Sequence, residues 1–176
     1  AIACQIVLLI VAGVNNRYQL NPDAVSYIRI ASYYADAKLD LAVSGLWSPM
    51  LSWLIAPLLG WVANPLYAAR IIMGLSALVY VLACLSLFRS LQIHPVAVVI
   101  CIWIVAVRSV SWSSSLITPD LLVSGLIFVA VSQLELEGTR LGQHALEFAD
   151  KLRFFFVQIV LAQTLHATTH FTHIPE

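Results

Sequence analysis

The run Asn21-Pro22-Asp23-Ala24-Val25-Ser26-Tyr27-Ile28-Arg29 puts a carboxylate, a phenol and a guanidinium in one short polar segment. A carboxylate in that company can take a proton from a hydroxyl while the cation holds a phosphate. Asp23 also fits a plainer role, as the acid in the first turn of a helix that Asn21 caps and Pro22 starts. A second run, Arg108-Ser109-Val110-Ser111-Trp112-Ser113-Ser114-Ser115, leads into Thr118-Pro119-Asp120. It reads as a serine-rich turn lining a polar pocket, although Thr118 and Asp120 are equally ordinary helix-start residues. A third set, His166, His170 and His173, shares one face if its segment is helical. That spacing suits a transition metal or a porphyrin, with Glu176 as the nearby acid; the plainer reading is an interfacial tail.

The elements that must position these groups are strongly apolar. The chain is 61% hydrophobic with a mean hydropathy of +0.90, well above an ordinary soluble domain. Between Asp40 and Glu135 the charges are Arg70, Arg89, Arg108 and Asp120, and they punctuate stretches of membrane-spanning size. Backbone in lipid must satisfy itself, which favours helices. The expected fold is therefore all-α, a polytopic transmembrane helical protein with an interfacial amphipathic helix in its first loop. Nine basic and nine acidic residues cancel, which argues against a nucleic-acid partner. Cys4, Cys84 and Cys101 lie in apolar stretches and read as small buried hydrophobes.

Residues 1–14 form a first helix that reads as continuing upstream, and 176 residues, room for five or six helices, is small for a polytopic enzyme, so a fragment or a subunit is expected. Residues 21–37 form an amphipathic helix with Val25, Ile28 and Ala31 as its apolar stripe, lying in the headgroup region. Trp47, Trp53 and Trp61 bracket an apolar run over 50–63 that contains Pro57 and Gly60. That run is short of a full span, so it crosses with a kink or only dips into the bilayer. Residues 66–88, 96–107 and 120–134 read as spans. The division is a transmembrane module over 1–134, then a polar linker and apolar C-terminal segment over 135–176.

Two topological arguments collide. If every apolar run spans and loop 15–49 is outside, most basic residues fall outside, against the positive-inside tendency. Either the 50–63 run fails to cross, which also puts Asp23 and Asp120 on one face, or the whole protein is inverted.

The stretches PDAVSYIRIASYYA, GLWSPMLSWLIAPLLGWVANPLYAARI and TPDLLVSGLIF, in that order, resemble the GT-C superfamily of membrane glycosyltransferases. The nearest part is the protein mannosyltransferase and aminoarabinose transferase group. The resemblance covers residues 1–134. It implies a bacterial inner-membrane transferase with loop 15–49 extracytoplasmic, using a polyprenyl-phosphate sugar donor. Asp23 matches the general base that activates the acceptor hydroxyl. Asp120 matches a second acid, which in some relatives helps bind a divalent metal. Tyr27, Arg29, Trp47 and Arg108 become substrate contacts, the arginines toward phosphate. Many relatives carry two adjacent acids in the first loop, where this chain has Asp23-Ala24, and relatives are much longer. The rival expectation is a non-catalytic subunit, with other membrane subunits as its partners beside the lipid bilayer.

Overall fold

The computed structural model describes residues 2–16 and 18–141, with side chains through residue 134. All regular elements among them are helical: α1 Ile2–Asn15, α2 Pro22–Ala35, α3 Leu39–Ala42, α4 Pro49–Ile55, a 3-10 segment Ala56–Gly60, α5 Pro65–Ser90, α6 Pro95–Ser115 and α7 Asp120–Leu141. Prolines set most of the starts. Pro22, Pro49, Pro65 and Pro95 each occupy a first turn, where the missing N–H would be unpaired anyway. Pro57 acts the other way: inside an apolar run it removes a helix donor, and the α-helix gives way to 3-10 turns from Ala56.

Two helices end on the same device. At the end of α2, the Lys38 N–H donates to Tyr33 O (2.9 Å) and the Ala37 N–H to Tyr34 O (3.2 Å). At the end of α5, Ile93 donates to Phe88 O (3.3 Å) and Gln92 to Arg89 O (3.1 Å). These are Schellman pairs, and they hold Ala37 at φ 58° and Gln92 at φ 52°, the left-handed region usually left to glycine.

Helix α5 is the hub. Helices α1, α6 and α7 all pack against it, and α1 also packs on α6. At 26 residues α5 is roughly 39 Å long, and α6, at 21 residues, about 31 Å. Both are long and apolar enough to cross a bilayer. Half of the most apolar stretch of α5 is buried inside the molecule, and a third of that of α6. The buried side of α5 is rich in small residues, Ala68, Ala69, Ala77 and Ala83 among them, which lets neighbouring backbones approach. Gly125 of α7 is the tightest case: a Cβ there would stand 3.3 Å from Tyr80 Cα.

Polar ties fix the register inside this apolar frame. Gln5, 1% exposed, donates through Nε2 to the Ala77 carbonyl of α5 (3.2 Å) and to Ser109 Oγ of α6 (3.2 Å). Ser86 Oγ donates to Ser132 Oγ, joining α5 to α7 at 3.2 Å. Between apolar helices, such bonds have few competitors.

Helix α4 and the 3-10 segment do not run the length of the bundle. Together they span residues 49–60, roughly 20 Å with α rise over α4 and 3-10 rise over the rest. They start beside α2, where Ser52 Oγ donates to Tyr27 O at 3.0 Å, and end just before the start of α5. The start of α5 is itself bonded to the segment between α1 and α2, because Arg70 donates to the Asn16 and Gln19 carbonyls. The 49–60 run therefore leaves and returns at one end of the bundle. Leu51 and Ile55, both fully buried, hold it against Ala24, Tyr27 and Ala31 of α2 and Ala68 to Ala77 of α5.

Three details depart from the sequence reading. The buried face of α2 is Ala24, Tyr27, Ile30 and Ala31, whereas Val25 is 52% exposed. The large partner for that face is the α4 pair Leu51 and Ile55, and Tyr27 is the residue aimed at it. Second, 109–115 is not a turn: α6 continues to Ser115. Its serines bond the carbonyls three or four residues back, as Ser109 does to Ala106 O (2.9 Å) and Ser115 to Ser111 O (2.8 Å). The hydroxyls thus need no exit from the helix. Third, α7 runs past residue 134 to Leu141.

Candidate functional site

Three chain segments meet at the end of the bundle where α5 begins: the start of α5, the end of α6 and the stretch after α1. Arg70 binds them together. Its Nη1 donates to the Ser113 (3.1 Å) and Ser114 (2.6 Å) carbonyls in the last turn of α6. Its Nη2 donates to the Asn16 (3.4 Å) and Gln19 carbonyls after α1. A helix C-terminus leaves carbonyls unpaired and partly negative, and a cation placed there satisfies both needs. Asn16 Nδ2 adds a bond to Ser114 Oγ (3.2 Å).

One step further along, Asn21 is matched with Ile117. The Ile117 N–H donates to Asn21 Oδ1 (2.9 Å), and Asn21 Nδ2 lies 3.5 Å from Ile117 O. Asn21 makes no cap bond to its own helix, contrary to the sequence expectation. The loop from α6 to α7 offered it a backbone N–H that lay outside any helix and needed an acceptor. Asn21 precedes α2 and Ile117 precedes α7, so this pair brings together the starts of both helices.

The two candidate acids lie in those first turns. Asp23 belongs to the first turn of α2 and is half-buried; Asp120 opens α7 and is exposed. Tyr27, one turn after Asp23, is 5% exposed and packs edge-on against Trp47, with ring centroids 5.3 Å apart. Ile117 and Leu121 share its core cluster. Burial pushes the Tyr27 phenol above its ordinary value of 10.0, and the charges of Asp120 and Asp23, in that order, push it further. Both carboxylates therefore act on the same phenol, which stays a proton donor.

The arginines stand apart. Arg29 is exposed and held on its own helix: Nε donates to the Tyr33 hydroxyl (2.7 Å), and the guanidinium lies 5.5 Å from the centroid of that ring. Arg108 lies on the exposed side of α6, flanked by Ile104, Val107 and Trp112, while the buried side is Val105, Ala106, Ser109 and Val110. It is not among the groups that meet at the Asn21–Ile117 junction. The basic residue that does meet them is Arg70. Sequence inspection passed over it as a charge near the end of a span, because what it holds is backbone from two distant segments. Gln5 was passed over likewise, its partners being one distant carbonyl and one distant hydroxyl.

Among the described residues no cluster of three or more His, Cys, Asp or Glu forms a metal centre. His166, His170, His173 and Glu176 lie outside the described residues, as does most of the 135–176 segment. A junction of two acid-bearing helix starts around a buried tyrosine can accept a proton at a carboxylate and donate one from a phenol. In comparison with protein-family models, curated proteins and solved structures, the chain finds no match.

Proposed function

We propose that this chain is an integral membrane protein and the N-terminal part of a glycosyltransferase that takes a sugar from a polyprenyl-phosphate donor. In this reading α1, α5, α6 and α7 cross the bilayer, and the segment 16–64 lies at one surface, with its exposed Trp53 and Trp61 at the lipid boundary. The single observation that carries the catalytic part is the Asn21–Ile117 pair, which sets the helix starts bearing Asp23 and Asp120 side by side. Asp23 is the general base that takes the proton of the acceptor hydroxyl. Asp120 supports the site from α7. Tyr27 and Trp47 form the floor. Arg29 and Arg108 are phosphate contacts only if the donor reaches outward along their faces.

The test is sugar transfer from polyprenyl-phosphate donors in nanodiscs by a full-length version of the protein. Asp23→Asn keeps the size and loses the base, so turnover is expected to fall by about 10² to 10⁴ with donor binding retained. Near-normal transfer by Asp23→Asn removes Asp23 as the base. Absence of transfer by the wild type with every donor class favours the non-catalytic subunit instead.

A further inference from the structure

Between α1 and α5 runs an open groove of about 520 Å³. Its walls are aliphatic, with Ile6, Ile10 and Val14 on one side and Ile71, Leu75 and Leu78 on the other. Its width comes from two glycines, Gly13 and Gly74, where an added Cβ would meet nothing within 4 Å. Nearly all of its polarity is at one end, where Tyr67 and Arg70 complete the lining in the first turns of α5. An apolar trough with one polar end has the shape of a single hydrocarbon chain with a head group.

The charge at that end says which head group. Arg70 is half-buried, and all four of its hydrogen-bond acceptors are neutral backbone carbonyls. Its Nε is buried with no acceptor. Among the described residues the one ion pair is Lys38 with Asp36, so no carboxylate neutralises Arg70. A guanidinium that has carbonyl partners but no counter-anion, at the mouth of a chain-sized groove, attracts a negatively charged phosphate.

We propose that the α1–α5 groove is a site for one chain of an anionic phospholipid of the surrounding bilayer, with its phosphate at Arg70 and Tyr67. This rests on the membrane reading given above and is independent of the transferase reading. Net charge selects the lipid: phosphatidylcholine fills the same trough with the same phosphate, but its choline cation offsets most of the electrostatic gain. A single basic residue near the lipid surface contributes about a five-fold preference for the anionic lipid.

The full chain is reconstituted in nanodiscs that contain phosphatidylglycerol or phosphatidylcholine with a photoactivatable acyl chain, and the adducts are mapped. Expected is about five-fold more labelling at Ile6, Ile10, Ile71 and Leu75 by the phosphatidylglycerol probe, and equal labelling by both probes at Val99, Ile100 and Trp103 on the exposed side of α6. Arg70→Gln should abolish the preference, but Arg70 also holds the ends of α1 and α6. The deciding variant is therefore Gly74→Leu, which fills the groove while keeping the Arg70 guanidinium, and should remove groove labelling without lowering the thermal midpoint. Equal labelling of the groove by both probes overturns the proposal. So does persistent labelling in Gly74→Leu, a groove found crosslinked to another part of the chain or a second copy, or displacement of the probe by polyprenyl phosphate at equal mole fraction. Failure of the chain to enter nanodiscs removes the membrane reading together with this proposal; entry without groove preference removes this proposal alone.

Discussion

Asn21 and Ile117, 96 positions apart in sequence, exchange backbone and side-chain hydrogen bonds that set the starts of α2 and α7 next to each other. No charge is used in the pairing. A carboxamide matches one backbone N–H and one carbonyl, which a carboxylate at position 21, an acceptor alone, would not do.

Replacement of Asn21 by Leu strands the Ile117 N–H. The expected loss is about 1–3 kcal/mol for a donor left without its acceptor, at the low end because the site is only part-buried. Hydrogen exchange reads it directly: the Ile117 amide should lose protection while the amides inside α5 keep theirs. Unchanged protection at Ile117 would show that another acceptor holds this loop.

Gly125 should tolerate almost nothing. Its Cβ would stand 3.3 Å from Tyr80 Cα and 3.4 Å from Tyr80 N, which is backbone and cannot swing aside. Gly125→Ala should cost less than Gly125→Leu, and the latter about 1–3 kcal/mol through separation of α7 from α5. The ordering is checked by denaturation in mild detergent. A Gly125→Leu protein as stable as the parent would mean that α5 and α7 do not pack as described.

The two Schellman ends offer stabilising changes. Ala37 and Gln92 carry positive φ with a Cβ, so glycine relieves strain of about 1 kcal/mol at each position, less the entropy that glycine adds to the unfolded chain. Ala37→Gly and Gln92→Gly should each raise the thermal midpoint. Gly13→Ala in α1, where helical glycine is only an entropy loss, should raise it too, which separates backbone relief from a general effect of glycine content.

Tyr27 should make the protein sensitive to alkali. Its folded pKa lies above the unfolded value of 10.0, so the folded state holds the proton more tightly. Below that value both states are protonated and the group has no pH effect. As pH rises above it, the unfolded state loses the proton first and stability falls, until the folded phenol also ionises. Tyr27→Phe should abolish that part of the decline. Asp120→Asn should bring the phenol pKa down more than Asp23→Asn does, since the Asp120 charge has the larger influence. Ultraviolet titration of the phenolate measures both, and an unchanged titration in Asp120→Asn would place Asp120 away from Tyr27.

The sequence alone determined the helices and their starts, because Pro22, Pro49, Pro65 and Pro95 act on their own backbone and uninterrupted apolar runs leave few alternatives to helix. For the 50–63 run it set the length, short of a full span at 1.5 Å per residue, and left open a kinked crossing or a dip. It misjudged the serine run over 109–115, because hydroxyls serve turns and helix interiors equally and only the packing of Ser109 against Gln5 separates the two. What tertiary structure decided was company. Asp23 and Asp120 share a neighbourhood through a carboxamide that local rules assigned to a helix cap, and Arg70 found its partners among carbonyls, which carry no residue-specific signal. Arg108 was passed over by the junction because its position on α6 faces away from the buried stripe. Backbone acceptors are the same at every position of a sequence. Which of them is left open at a helix end, and which side chain reaches it, is settled only when the helices have packed.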